Sequence, residues 1–374
     1  MKLISALLGA LLLYALLDFL YIKYWKSKLS VELSFSKDFA TEGEEISLIE
    51  VVTNRKLLPL SILQVKFAAS RFLEFDDKDN SAISDLYYRN DMLTIMMYQR
   101  LTKTLAIHCA HRGYYTIQRM DLVCSNLFMS HEEVATYDLN IFLSVYPRTI
   151  DALKFEVAFS KMLGTVLTRR FINEDPFEFN NIREYQSYDS LKSINWKASA
   201  KTDSLKVNVH DYTSSQQVKI FINTESDTVR KYDDLSEESI RIATTLAQAL
   251  IAKGVPISIH TNALDIITKE IIEIPAGSGS NHYKTIQESL SRIDLTLEPP
   301  AFLPSFQEQI TSTAVKDYLI IISYYQREKL QQLLISQMHA RKEFVWIIPT
   351  NFEISVVVLE ELVGKIIPWE TERN

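Results

Sequence analysis

Val218-Lys219-Ile220-Phe221-Ile222, Tyr318-Leu319-Ile320-Ile321-Ile322-Ser323 and Phe344-Val345-Trp346-Ile347-Ile348-Pro349 decide the fold of the C-terminal part. Strands with one wet face alternate apolar and polar residues, whereas strands covered on both faces read as short, nearly continuous apolar runs. Helical spacing lies between these runs. Ile240, Ile242, Ala243, Leu246, Ala247, Leu250 and Ile251 share one stripe of Glu237–Lys253, and Gly254 stands where a C-cap belongs. His282–Ile293 and Gln326–Arg341 predict further helices, Pro256–His260 a strand, and Asp265–Ile274 an extended segment. Strands alternating with helices predict a doubly wound α/β domain with a parallel sheet, assigned to residues 205–374.

Upstream the pattern changes. Residues 146–204 form an irregular connecting segment rich in Arg, Asn, Asp, Ser and aromatics, too long for an ordinary loop and therefore functional or packed on a neighbour. Residues 29–145 read as short strands with turn signals between them: Val31–Phe35, Ile46–Val52, Ile62–Ala68, Met92–Tyr98, Lys103–Cys109, Gly113–Ile117 and Met120–Val123. This predicts an antiparallel β-sandwich-like domain. Residues 1–28 are an anchor. Leu3–Ile22 (LISALLGALLLYALLDFLYI) is long enough to cross a bilayer once, with Asp18 near its end and Tyr14, Tyr21, Tyr24 and Trp25 as interfacial aromatics. A cleaved signal peptide is the competing reading. Against it, the basic n-region is only Lys2 and no A-x-A-like site precedes Lys23. Lys23, Lys26 and Lys28 follow the span, which predicts a single-pass cell-membrane protein with its bulk in the cytoplasm.

Composition excludes several function classes. Eight glycines in 374 residues form neither a dinucleotide-binding nor a P-loop pattern. A net charge of −7 gives no basic field for nucleic acid. Cys109 and Cys124 cannot build a disulfide framework and are expected as buried thiols. His108, Cys109, His111 and Cys124 match no zinc spacing, although Cys109 and His111 would share a strand face. The acid pairs Glu132-Glu133, Asp233-Asp234 and Glu237-Glu238 read as solvated helix starts or loops. No G-x-S-x-G or H-E-x-x-H motif is present, and no cofactor is expected.

One segment carries more. In Arg183–Lys201, the residues Arg183, Tyr185, Asp189, Ile194, Trp196, Lys197, Ser199 and Ala200 fall in order on the pattern Arg-x-Tyr-x-x-Gly-Asp-x-x-x-x-Ile-(Asp/His)-Trp-Lys-x-(Ser/Thr)-Ala. The segment resembles the signature of the family called domain of unknown function 58, a bacterial and archaeal membrane-protein family. Tyr188 replaces the glycine and Asn195 the acid or histidine. His111-Arg112-Gly113-Tyr114-Tyr115 looks like the family's Arg-Gly-aromatic step, and Ser125-Asn126-Leu127-Phe128 like an eroded form of its Asp-Pro-Phe-Gly-Leu-Phe turn.

The resemblance implies a membrane anchor, a β-rich region and a C-terminal von Willebrand factor A-like domain. It further implies a non-enzymatic adaptor or assembly factor with a protein partner, a MoxR-type AAA ATPase being the partner class encoded beside such proteins. A membrane-associated hydrolase is the alternative, discriminated by whether a cleft gathers carboxylates or a Ser/His pair. Within the signature, Trp196 supplies a large apolar body with one N–H donor, and Arg183, Lys197 and Lys201 can pair with acids such as Asp189. Two roles are open to it: a clasp between domains, in which Trp196→Ala destabilises the junction, or a docking surface. Domains of the A-like class can hold a divalent cation through Asp-x-Ser-x-Ser after the first strand. Here Asn223, Glu225 and Asp227 occupy those positions, a degenerate set expected to bind no Mg²⁺ or Mn²⁺.

Overall fold

The computed structural model describes residues 2–77, 79, 81–126, 131–172, 179–185, 194–202, 204–210, 217–226, 230–311 and 313–371. Two compact units divide the chain, Met1–Arg148 with Leu290–Arg292 and Thr149–Ser289 with Ile293–Asn374.

The first unit starts with α1 (Lys2–Tyr24), whose stretch Leu7–Tyr24 is long and apolar enough to cross a membrane. Its end departs from expectation. Tyr21 and Trp25, expected as interfacial aromatics, are buried in the core of the following domain. The Tyr21 hydroxyl lies 3.5 Å from the Cys124 sulfur, and Lys56 Nζ donates to the Trp25 carbonyl at 2.6 Å. Asp18, the one charge in the apolar stretch, accepts from Asn126 Nδ2 at 2.6 Å and lies 3.6 Å from His131 Nε2. A long aromatic at a helix end gains more from a dry pocket than from an interface, provided its polar tip finds a partner.

The strands that follow are β1 (Leu29–Phe35), β2 (Phe39–Thr41), β3 (Glu45–Asn54), β4 (Leu60–Ser70), β5 (Leu73–Phe75), β6 (Ser81–Ile83), β7 (Leu86–Ile95), β8 (Arg100–Cys109), β9 (Gly113–Ser125) and β10 (Glu132–Tyr146). They form two sheets, β1-β3-β8-β5 and β2-β10-β9-β4-β7-β6, antiparallel except where β2 joins β10. Alternation explains the packing. Leu48 and Val52 of β3, Leu63 and Val65 of β4 and Leu143 and Val145 of β10 point into one core. The expected sandwich is therefore present, with differences in its strands: the one expected over Met92–Tyr98 is Leu86–Ile95, and β2, β5, β6 and β10 are additional. Gly113–Ile117 and Met120–Val123 are one strand, and Glu132-Glu133 opens β10 rather than a helix or loop, paired with Ser125 and Cys124. Gly113 is required where it stands, because a Cβ there would lie 2.7 Å from the Tyr115 ring, whose hydroxyl donates to the His111 and Arg112 carbonyls.

In the second unit, the described part of residues 149–204 is more regular than expected. α2 (Ala152–Ile172) buries Phe155, Phe159, Met162, Leu163 and Val166, a helical stripe that composition obscured. The elements after it are β11 (Phe179–Glu184), α3 (Trp196–Thr202), β12 (Lys206–His210), β13 (Val218–Ile222), α4 (Asp233–Ala252), β14 (Ile257–Asp265), β15 (Ile271–Gly277) and α5 (Ser280–Ser291). The chain ends with β16 (Ile293–Asp294), α6 (Phe302–Thr311), β17 (Tyr318–Ile322), α7 (Glu328–His339), β18 (Glu343–Thr350) and β19 (Ile366–Glu370).

The large sheet has the order β15-β14-β13-β17-β18-β19, with β16 beside β14. It is mixed rather than wholly parallel: β15 and β16 run antiparallel to β14, while β14, β13, β17, β18 and β19 are parallel. Every residue of β13 and β17 is buried, as their sequences predict. Phe221, Leu319, Ile321, Phe344 and Trp346 pack with Phe302, Phe306, Leu330 and Leu334 of α6 and α7. α4 lies against β13, β14, β17 and β18 and is closed by Gly254 at φ 71°. Glu238, expected to be solvated, is buried, accepting from Trp369 Nε1 at 2.8 Å and from Arg241 at 3.0 Å. Phe159 of α2 stacks on Trp369 at 5.4 Å.

One charge in the sandwich interior has a cost that can be measured. Glu50 of β3 is fully buried, and neither carboxylate oxygen has a hydrogen-bond partner. It faces Lys103 across β8, and Arg89 and Asp91 from β7. Arg89 pairs with Asp91 at 2.8 Å and Asp77 at 2.7 Å, and Lys103 with Asp91 at 2.7 Å, so the two cations are already matched. Burial, reinforced by Asp91, raises Glu50 from 4.5 to about 7 against the pull of Lys103 and Arg89. Between pH 4.5 and about 7 the folded chain keeps a proton that the unfolded chain has released, so stability falls as pH rises through this window. The loss is on the order of 3 kcal/mol. Urea unfolding of Glu50→Gln is expected to remove this slope and to leave the variant more stable than the parent at pH 8.

Candidate functional site

The signature segment is built around β12. β11 pairs with it antiparallel, Arg183 opposite Val207 and Glu184 opposite Lys206, with Lys206 Nζ 3.1 Å from Glu184 Oε1. Ile194 is buried and bridges to Val207, and the Tyr185 N–H donates to the Leu205 carbonyl at 2.9 Å. α3 begins where Asn195 can cap it: Asn195 Oδ1 accepts the Ala198 N–H at 2.9 Å, satisfying one free helix-start donor. Asn195, which departs from the acid or histidine of the resembled pattern, thus supplies a capping oxygen. Ser199 is buried, accepts the Lys206 N–H at 2.8 Å and donates to the Asn195 carbonyl at 2.8 Å.

Trp196 and Lys197 are placed differently. Trp196 is 67% exposed and Lys197 is exposed too, so the expected clasp does not rest on a buried indole. The contact between α3 and β12 is made instead by the Ser199 hydroxyl and by Ile194. Arg183 lies on β11, and Asp189 lies outside the described residues, as do Leu127 and Phe128 of the eroded turn.

A second locus lies at the C-terminal ends of β13 and β17, where the strand order turns back and a crevice opens. Asn223 and Ser323 sit there, both fully buried. Asn223 Oδ1 accepts the Glu225 N–H at 2.8 Å and Asn262 Nδ2 at 3.1 Å, while its Nδ2 donates to Ser323 Oγ at 3.0 Å. Asn262 Oδ1 takes the Thr224 N–H at 2.9 Å and the Thr224 hydroxyl at 3.1 Å. Glu225 turns away: its Oε2 accepts the Phe302 N–H at 2.8 Å at the start of α6, a favourable place for an anion. Asp227 lies outside the described residues.

Chemically this is a closed amide–hydroxyl lattice. Hard cations need several oxygens with carboxylate among them, and here the amide oxygens are already occupied by donors. Among the described residues no group of three or more His, Cys, Asp and Glu converges. The sequence reading missed Asn262 and the Pro300 carbonyl it donates to at 3.0 Å, because each partner lies about 40 residues away along the chain. Beside the lattice, Thr224, Ser236, Asp294 and Tyr324 line a cleft of about 10 Å³, room for roughly one water.

The cysteines behave as expected of buried thiols. Both are free, and burial pushes Cys109 up to about 11. They stand in different sheets, Cys109 at the end of β8 and Cys124 on β9, and His111 falls beyond the end of β8 rather than sharing its face with Cys109. A Ser/His pair does exist. Ser258 Oγ is 3.3 Å from His260 Nε2 on β14. Yet burial and Lys219 lower His260 to about 4, its ring stacks on Phe221 at 5.2 Å, and its Nδ1 has no partner to orient it. A catalytic base needs that third group and access to substrate.

No family model and no curated protein matches the chain. Solved structures similar to part of it include the CARDB domain of a Pyrococcus furiosus protein, at 15% identity over 30% of this chain and 86% of the other, TM-score 0.20. A PapD-like domain of human CEP192 is similar at 12% identity over 32% and 85%, TM-score 0.22. A non-cellulosomal cohesin of Archaeoglobus fulgidus is similar at 9% identity over 32% and 91%, TM-score 0.22.

The geometry separates two neighbours in the signature. Trp196→Ala is expected to shift stability by less than about 0.5 kcal/mol, as for an exposed site. Ser199→Ala leaves the Lys206 N–H without its acceptor and is expected to cost about 1–3 kcal/mol locally. Thermal melting, with hydrogen exchange at the β12 amides, distinguishes them.

Proposed function

We propose that this chain is a membrane-anchored adaptor or assembly factor of the domain of unknown function 58 type, non-enzymatic, whose signature segment docks a protein partner. The observation that carries the reading is the exposure of Trp196 and Lys197 on a segment otherwise fastened by Ile194, Asn195 and Ser199. An exposed tryptophan beside a cation, on a backbone held rigid from below, has the makings of an interface hot spot. Continuing that resemblance, the partner is a MoxR-type AAA ATPase.

The C-terminal unit is read as von Willebrand factor A-like. Counting β13, β14, β15, β17, β18 and β19 as first to sixth, the sheet order is 3-2-1-4-5-6 with an antiparallel third strand at the edge, which supports that reading. Docking is metal-independent, because the amide lattice stands where a cation would sit. Among the described residues the hydrolase alternative has the Ser258–His260 pair in its favour, and that pair lacks an orienting group.

Affinity capture of the detergent-solubilised full-length chain, with and without ATP, tests the proposal. Trp196→Ala is expected to lose the captured protein while melting like the parent, and a chelator to leave capture unchanged. Retention of the same protein by Trp196→Ala sinks the docking role of this residue. The reading also puts the bulk of the chain in the cytoplasm. A thiol introduced at the exposed Asp76 is expected to resist membrane-impermeant reagents in intact cells and to react after lysis.

A further inference from the structure

The sandwich has two unlike ends. At the end where α1 enters lie the turns 55–59, between β3 and β4, and 96–99, between β7 and β8. They are tied to each other and to the helix exit. The Arg55 N–H donates to the Lys28 carbonyl at 3.0 Å, the Tyr98 N–H to the Lys56 carbonyl at 3.3 Å, and Asn54 Nδ2 to the Leu58 and Met96 carbonyls at 2.9 Å each. Lys56 Nζ closes the set on the Trp25 carbonyl. These bonds fix both turns beside the C-terminal end of α1.

What the turns present outward is apolar. Leu57 is 70% exposed, Met96 53%, Met97 51% and Tyr98 68%. Single exposed apolar residues are ordinary, but four gathered on two tied turns are not. Tyr98 also stands at φ 52°, the left-handed region, where Gly or Asn would fold with less strain. Exposed cations flank the patch: Lys26, Lys28, Arg55 and Arg100. At the other end of β4, roughly 35 Å away along an 11-residue strand, acids predominate: Glu74, Asp76, Asp77, Asp79 and Asp85 are exposed there beside one exposed cation, Arg71. The apolar end, with four exposed cations and the exposed acid Glu132 opposite Ser125, is continuous with the apolar surface of α1, and the acidic end is remote from it.

We propose that this end of the sandwich is a second membrane contact, in which the turns 55–59 and 96–99 sit at the boundary of headgroups and acyl chains while the flanking cations face anionic lipid headgroups. Interfacial segments bury their apolar side about 5–10 Å into that boundary, a depth these side chains can reach from a helix exit. Polybasic residues next to a span add attraction to anionic lipid. The proposal rests on the reading of α1 as a membrane span.

The test uses the full chain in nanodiscs of phosphatidylcholine and phosphatidylglycerol. An environment-sensitive fluorophore is attached at Met97→Cys, or at Leu57→Cys as the second variant, with the unlabelled-site parent as blank for Cys109 and Cys124. Blue-shifted emission, strongly quenched by lipid spin-labelled near the headgroup, is expected at both positions. The same label at Asp76→Cys is expected to emit as in water and to escape quenching. A label at Leu12→Cys reports the anchor separately, through quenching by lipid spin-labelled deep in the chain. Quenching at Leu12→Cys with water-like emission at positions 57 and 97 overturns the second contact and leaves the anchor standing. Blue-shifted but unquenched labels at 57 and 97 mean that protein covers the patch, which also overturns it. A Leu12→Cys label that no lipid quenches removes the anchor reading, and the second contact with it.

Discussion

The burial of Tyr21 and Trp25 in the sandwich core is the constraint on which the N-terminal half depends. An apolar helix joined to a soluble domain by a flexible linker would leave that domain free to turn. Here Tyr21 of the helix's last turn and Trp25 just beyond its end are core residues of the sandwich, and Lys56 holds the carbonyl of the second. Burial pulls the Lys56 ammonium below the usual lysine range, a cost accepted at the joint. Asp18, which would be costly among lipid chains, finds its donor in Asn126. Helix and sandwich are one folded object, so the sandwich end beside the helix is fixed in its orientation.

The α/β unit follows a different logic. Its central strands are apolar on both faces and must be covered twice, by α4 on one side and by α6 and α7 on the other. The reversal of strand order leaves a crevice at the strand ends, the ordinary place for a ligand in such sheets. In this chain the crevice is filled from within. Asn223, Asn262, Thr224 and Ser323 satisfy one another, and the nearby carboxylate of Glu225 caps α6. These neutral groups hold the loops together at the strand ends.

The signature segment joins these two lessons. Sequence pattern alone treats its matched positions as equals. The structure divides them by physical role: Ile194 and Ser199 fasten α3 to β12, Asn195 starts the helix, and Trp196 and Lys197 are left outside. A hydroxyl placed to accept a strand N–H makes a tight, specific joint without bulk, which is why the large residue beside it is not needed for packing.

The sequence by itself determined whatever rests on local periodicity. Val218–Ile222 and Tyr318–Ile322 are buried strands because short, nearly continuous apolar runs belong to strands covered on both faces, and α4 is followed by Gly254 because the chain turns there through the left-handed region. The apolar length of α1 and the alternation of the sandwich strands were equally legible. The tertiary structure decided everything that depends on partners distant along the chain. The α2 stripe was hidden in a polar-looking segment, and Glu238 looked solvated until Trp369 arrived from 131 residues away. Tyr21 and Trp25 looked interfacial until the sandwich closed over them, and the choice for Trp196 between clasp and docking surface waited on its exposure. Periodicity reports which face of an element is dry; only the assembled chain shows what dries it.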